Sequence, residues 1–139
     1  MCDPGPLDDP TLMASVFDLG EHIRYVSVAD GPSVTMRQRA GLASASSSNS
    51  DRYEELLVNP ALLVLTRQRG EIDCGGLRHL VVRYGNFFQV IVPRGSGHVS
   101  VAVEPAADPV GVAEAVVRLV ADPDGPTEAT GPRGGRASR

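Results

Sequence analysis

Apolar residues recur along this chain in two rhythms, and the change from one to the other marks its elements. Three apolar runs, LRHLVVRY (77–84), FFQVIVP (87–93) and HVSVAVE (98–104), are separated by Gly85-Asn86 and by Gly95-Ser96-Gly97. Each reads as a strand joined to the next by a tight turn. Val81-Val82, Val90-Ile91-Val92 and the series Val99, Val101, Val103 leave apolar groups on both faces, which predicts a sheet covered on both sides. The rhythm then becomes helical: Val112, Val116 and Val120, flanked by Ala113 and Val117, form a stripe over 109–120, behind an Asp108 cap and Pro109 at the first helical position. Valine is a mediocre helix former, so burial must hold this helix.

The N-terminal half carries the same two signals. Leu12, Val16 and Leu19 sit near helical spacing behind Asp9-Pro10, predicting a first helix over 10–19 that stops at Gly20. IRYVSVA (23–29) and SVTMRQR (33–39) flank an Asp30-Gly31 hairpin turn, and Arg37 and Arg39 suit an edge strand. AGLASASSSNS (40–50) reads as a flexible Ser/Ala loop. Ser50 or Asp51, with Glu54 three residues beyond Asp51, predicts the cap of a middle helix carrying Tyr53, Leu56 and Leu57 on one side. Pro60 predicts a kink or restart, followed by helix over 61–69 that ends at Gly70. Short connections favour an antiparallel meander. Residues 1–8 read as a flexible tail, 9–121 as one folded domain, and 122–139, rich in Gly, Pro and Thr, as a disordered tail.

Composition narrows the function classes. The 139 residues contain no Lys, which excludes a Walker-type or Schiff-base lysine, and a net charge of −4 argues against nucleic-acid binding. Cys2 and Cys74 are too few and too distant for a disulfide framework. No apolar run approaches the roughly 18 residues of a membrane span. The acidic, Pro-rich start MCDPGPLDDP is not a signal peptide, so a cytoplasmic protein is expected.

In element order, α-β-β-α-β-β-β-α over residues 8–121, the chain resembles the roadblock/LC7 domain, a profilin-like fold. The stretch GGLRHLVVRYGNFFQVIVPRGSGHVSVAVEPAADPVGVAEAVVRLV is similar to the C-terminal half of bacterial roadblock proteins, and HIRYVSVADGPSVTMRQR to their first hairpin. The resemblance implies an α+β domain with a five-stranded antiparallel sheet, the second helix on one face and the first and last helices on the other. It implies a homodimer paired through the second helix and the third strand. It further implies a non-catalytic regulator or scaffold of a small Ras-like GTPase or another signalling protein. Leu80, Val81 and Val82 would then lie on an apolar edge that tends to be paired. Leu62, Leu63 and Leu65 spread around the second helix more widely than one buried face requires, and either join that interface or fill the core.

The residues themselves offer little chemistry. His22, His79 and His98 lack metal-ligand spacing, and each reads as a satisfied or half-exposed histidine. Glu54 and Glu55 read as caps or solvated charges, and Gly95-Ser96-Gly97 as a turn without the following helix a phosphate cradle needs. Arg67 and Arg69 read as complements to a helix C-terminus. Arg94, Arg133, Arg136 and Arg139 are the positions from which an arginine could act on a GTPase in trans. No enzyme activity, cofactor or metal is expected. The competing class is a ligand-binding sensory module, since a profilin-like sheet can also hold a small-molecule pocket.

Overall fold

The computed structural model describes residues 7–42 and 47–121. The expected tails 1–6 and 122–139, with Cys2, Arg133, Arg136 and Arg139, lie outside the described residues, as do 43–46 of the Ser/Ala segment. In chain order the elements are α1 (Asp9–Phe17), β1 (Ile23–Asp30), β2 (Ser33–Gln38), α2 (Ser48–Tyr53), a π-helical turn (Glu54–Val58), α3 (Asn59–Asp73), β3 (Leu80–Arg83), β4 (Phe88–Arg94), β5 (Gly97–Val103) and α4 (Pro109–Ala121).

The five strands form one sheet of order β2-β1-β5-β4-β3, and every neighbouring pair is antiparallel. This is not a simple meander. The hairpin β1–β2 and the meander β3–β4–β5 are joined by pairing β1 to β5, so the middle helix must cross from one edge of the sheet to the other. β3 is an edge strand, four residues long rather than the eight expected for 77–84.

The two faces differ in kind. Ile23, Val26, Val28, Val90, Val92, Val99, Val101 and Val103 pack against Leu12, Met13 and Val16 of α1 and Val112, Ala113 and Val116 of α4. Each such side chain contributes roughly 1.5–3 kcal/mol when fully buried. The opposite face is also covered, and there Tyr25, Gln89, His98 and Ser100 are buried alongside Ile91 and Ala102. Apolar groups do lie on both faces, as expected, but the second face is mixed: a polar cluster sits among them. A register shift between Ile23 and Tyr25 changes which residues of β1 point each way, so its alternation is not clean in sequence.

The caps differ from expectation. Asp8, not Asp9, caps α1, its side chain accepting from Thr11 N at 2.9 Å. Leu7 packs partly against the core, and Arg94 donates to its carbonyl at 2.6 Å, so Leu7 and Asp8 are engaged rather than loose. Ser47, not Ser50 or Asp51, caps α2 through Ser50 N at 3.1 Å. Asp108 does cap α4, accepting from Val110 N at 3.1 Å.

Pro60 does not break the middle helix. Proline lacks an N–H and its ring collides with the carbonyl four residues earlier. Here the preceding turn widens to π geometry, with Asn59 N–H donating to the Glu54 carbonyl five residues back. The helix therefore runs on through Pro60 and through Gly70 to Asp73. Gly70 is no stop; it is buried where the backbone of Gly76 and Leu77 passes, and a Cβ there would lie 3.1 Å from both. Because the helix continues, Arg67 and Arg69 are not in its last turn. Arg69 pairs with Asp73 at 2.7 Å on the surface, and Arg67 approaches the Gly95 carbonyl at 3.4 Å.

Candidate functional site

The middle helix has an inner and an outer face, and each carries a feature that sequence reading missed. On the inner face, the π turn directs Glu55 onto the polar side of the sheet. It is fully buried, and both carboxylate oxygens are occupied. His98 Nε2 donates to Oε1 at 2.7 Å and Asn59 Nδ2 donates to the same oxygen at 3.0 Å. Tyr25 Oη donates to Oε2 at 2.6 Å and Ser100 Oγ to the same oxygen at 2.5 Å. An ionised carboxylate has about four acceptor positions, and these four donors fill them. Burial alone would raise the Glu55 carboxyl, but the hydrogen bonds from His98, Ser100 and Tyr25 outweigh it and hold the group below the ordinary glutamate range. The same carboxylate, after burial itself, drives the Tyr25 phenol upward.

This cluster is glue between helix and sheet. Ser100 donates to the carboxylate, and His98 Nε2 is taken by the same carboxylate, so the hydroxyl and the imidazole are not paired as nucleophile and base. The expectation that Glu55 is a cap or a solvated charge is corrected; it is the buried anchor of the middle helix. A signal was present in sequence: His98 and Ser100, two apart, share one face of a strand whose other face carries Val99, Val101 and Val103.

Glu54, its neighbour, lies at the rim. Tyr84 Oη donates to its Oε1 at 2.9 Å, tying the β3–β4 turn to the helix. Burial is the main cause that pushes the Glu54 carboxyl above its ordinary value, with Glu55 adding to it. The Tyr84 phenol is pushed up to about 12, by burial and by Glu54. Beside this pair, Arg24 is buried against Glu104 at 3.2 Å, and Arg39 reaches the same carboxylate at 3.1 Å.

On the outer face, Tyr53, Leu57, Val64, Leu65 and Ile72 are all more than half exposed. Tyr53, Leu57 and Val64, with Leu65 beside Val64, form an exposed apolar stripe across α2, the π turn and α3, which the exposed Gln68 and Arg69 interrupt before Ile72. Exposed apolar side chains gathered on one side of an element mark interaction sites. β3 presents a second unsatisfied feature, an edge with no strand beyond it among the described residues.

Comparison with solved structures decides what this architecture is. The chain superposes on a roadblock/LC7 domain from Streptomyces avermitilis with a TM-score of 0.61 at 19% identity, covering 82% of this chain and 92% of that one. It matches MglC from Myxococcus xanthus with a TM-score of 0.52 at 19% identity, over 80% and 91% of the two chains. It matches the gliding protein MglB from Thermus thermophilus with a TM-score of 0.53 at 16% identity, over 86% and 98%. The fold is that of the roadblock/LC7 domain. No family model matches the sequence, and the search of curated proteins finds no match either.

Within this roadblock-type fold the six residues expected at a dimer surface separate into three groups. Leu63 is buried at 5% exposure inside the protomer, whereas Leu65 is 68% exposed. Leu62, Leu80, Val81 and Val82 are half-buried. Arg94, one of the positions from which an arginine could act in trans, ends β4 and is tied to Asp9 at 2.8 Å. His79 Nδ1 lies 3.2 Å from Glu114, and Arg78 pairs with the same carboxylate at 2.6 Å. Among the described residues no cluster of three His, Cys, Asp or Glu side chains is arranged to hold a metal ion. No helix among them is long and apolar enough to cross a membrane.

Proposed function

We propose that this chain is a non-catalytic, cytoplasmic interaction module that pairs with a second copy of itself. The pairing uses the outer face of α2, the π turn and α3 together with the β3 edge, and the dimer presents a surface to a small Ras-like GTPase. The observation that carries this reading is the exposed apolar stripe of Tyr53, Leu57 and Val64, on a helix whose other face is already anchored by Glu55. Leu65 would lie at its margin, and Leu80, Val81 and Val82 would meet their counterparts along the edge strand. Leu62 would contribute at the flank, while Leu63 serves the protomer's own interior. Support for self-association comes from a structural neighbour described as MglB in a tetrameric arrangement, with a TM-score of 0.55 at 11% identity over 86% of this chain and 97% of that one.

The GTPase reading rests on the roadblock fold and on a surface suited to binding rather than to chemistry. Such a dimer would act by favouring one conformational state of its partner through differential contacts. Two measurements test it. Light scattering at micromolar concentration is expected to give a dimer, and a monomer overturns the pairing. Immobilised full-length protein is expected to retain a P-loop GTPase from native lysate in an amount that depends on added GTP or GDP. Recovery indifferent to nucleotide, or of no GTPase, overturns the regulatory role.

A further inference from the structure

Glu54, the first residue of the π turn, bridges the middle helix and the turn that follows β3. Its Oε1 accepts from Tyr84 Oη at 2.9 Å, whereas its Oε2 is buried with no hydrogen-bond partner. The next residue is the opposite case. Glu55 has four donors on its two oxygens and can stay ionised, but Glu54 has a single donor from Tyr84. An anionic oxygen buried without a partner is far more costly than a neutral O–H in the same place. The arrangement therefore suits a protonated Glu54, with the proton on Oε2 and with Oε1 as the carbonyl that accepts from Tyr84.

The charged and titratable groups around Glu54 act in the same direction on balance. Asp51, three residues earlier on α2, and Glu55, next on the π turn, both oppose a further negative charge. Tyr84, beyond β3, and His98, on β5, favour the anion, but His98 is already bonded to Glu55. On β1, Arg24 pairs with Glu104 at 3.2 Å and Tyr25 donates to Glu55. Burial is the largest influence, and together these hold the Glu54 carboxyl above its ordinary value of 4.5. Glu54 also lines a cleft of about 180 Å³ at the rim of the helix. That is several times the ~30 Å³ share of one water molecule, so a carboxylate has room to turn away from Tyr84. The cleft walls are mostly polar, with Gln38 and Ser50 among them, and can solvate the ion.

We infer that Glu54 and Tyr84 form a proton-operated latch between the middle helix and the β3–β4 turn, closed while Glu54 is neutral and open once its carboxylate turns into the cleft. One proton leaves Oε2 for solvent as the latch opens. Because the turn leads out of β3, opening loosens the last residues of the edge strand. If β3 is a pairing edge, which rests on the reading proposed above, acid conditions order that edge for a second copy. The latch itself belongs to the protomer, and its test does not depend on pairing.

The test is an NMR titration of the full chain, labelled with ¹³C and ¹⁵N, over roughly pH 4 to 8, which brackets ordinary and raised carboxyl values. The Glu54 carboxyl carbon is expected to titrate with a midpoint above 4.5, and the amides of Tyr84, Gly85 and Asn86 to shift with that same midpoint. Glu54→Gln, which cannot ionise, should remove the transition and hold these amides at their acidic positions. In Tyr84→Phe the carboxyl should still titrate while the turn amides no longer follow it. A Glu54 midpoint at or below 4.5 overturns the proposal. So do turn amides that ignore Glu54 in the unmodified protein, or a turn transition that survives unchanged in either variant. The first two readings come from the unmodified protein and stand even if a variant fails to fold.

Discussion

The Glu55 carboxylate and the His98 imidazole, 43 residues apart in sequence, meet at 2.7 Å beneath the middle helix, and neither is open to solvent. A buried charge survives only when its hydrogen-bonding capacity is met in full. Removing Glu55 therefore leaves Tyr25, Asn59, His98 and Ser100 without their common acceptor. Glu55→Ala is expected to cost about 3–5 kcal/mol, the range for breaking a buried pair by deleting one partner. Glu55→Gln keeps the shape and one acceptor and should cost about 1–3 kcal/mol. Urea unfolding midpoints at neutral pH measure both. Equal stability of wild type and Glu55→Ala would show that the cluster does not anchor the helix.

Adjacent glutamates should titrate in opposite senses. Glu55 is held below its ordinary value of 4.5, so its contribution is fully present above that pH and fades as pH falls through the lower folded value. Glu54 is raised, chiefly by burial, so its contribution is fully present below 4.5 and is lost as pH rises through the higher folded value. Glu54→Gln should therefore unfold at higher urea than wild type at neutral pH, with the gap closing on acidification. Glu55→Gln should flatten the loss of stability seen on going below pH 4.5. Unfolding midpoints across a pH series check the two signs independently.

Two glycines at the junction of β4 and β5 have different tasks. Gly95 has a left-handed φ of +56 with open space around its Cβ position, so Gly95→Ala should cost about 1–2 kcal/mol from conformation alone. Gly97 lies in β5, and a Cβ there would sit 1.9 Å from the Ala29 carbonyl oxygen, inside the β1–β5 pairing. Gly97→Ala must push two central strands apart and should cost more than Gly95→Ala, at least the ~1–3 kcal/mol typical of overpacking. Thermal unfolding of the two variants ranks them, and the reverse order would refute the strand pairing at this point.

Local chemistry made most elements legible in sequence. Asp30-Gly31 marked the first hairpin, Asp108-Pro109 marked the start of α4, and the valine series of β5 marked a strand. What stayed hidden depends on groups far apart in the chain. Glu55 looks like any surface glutamate until Tyr25, His98 and Ser100 are brought over it by strand pairing. Pro60 looks like a helix breaker because the π turn that accommodates it has no signature in residue type. Gly70 looks like a stop because its real constraint is the passage of Gly76 and Leu77, which only the folded chain reveals.

Two leucines two positions apart on α3 separate folding from association. Leu63 is 5% exposed and Leu65 is 68% exposed. A glutamate at 63 would bury an unpaired charge, so Leu63→Glu should prevent folding outright. A glutamate at 65 faces solvent in the isolated protomer and should change its stability by no more than about 0.5 kcal/mol. If the outer face of the helix is the contact between copies, Leu65→Glu places like charges across it while leaving the fold intact. Light scattering should then report a folded monomer with an unaltered circular dichroism spectrum. Adding Leu57→Glu, within the stripe that Leu65 borders, should complete the dissociation if the single change only weakens it. A folded dimer that persists in the double variant would move the contact away from this face and leave the apolar stripe for a different partner.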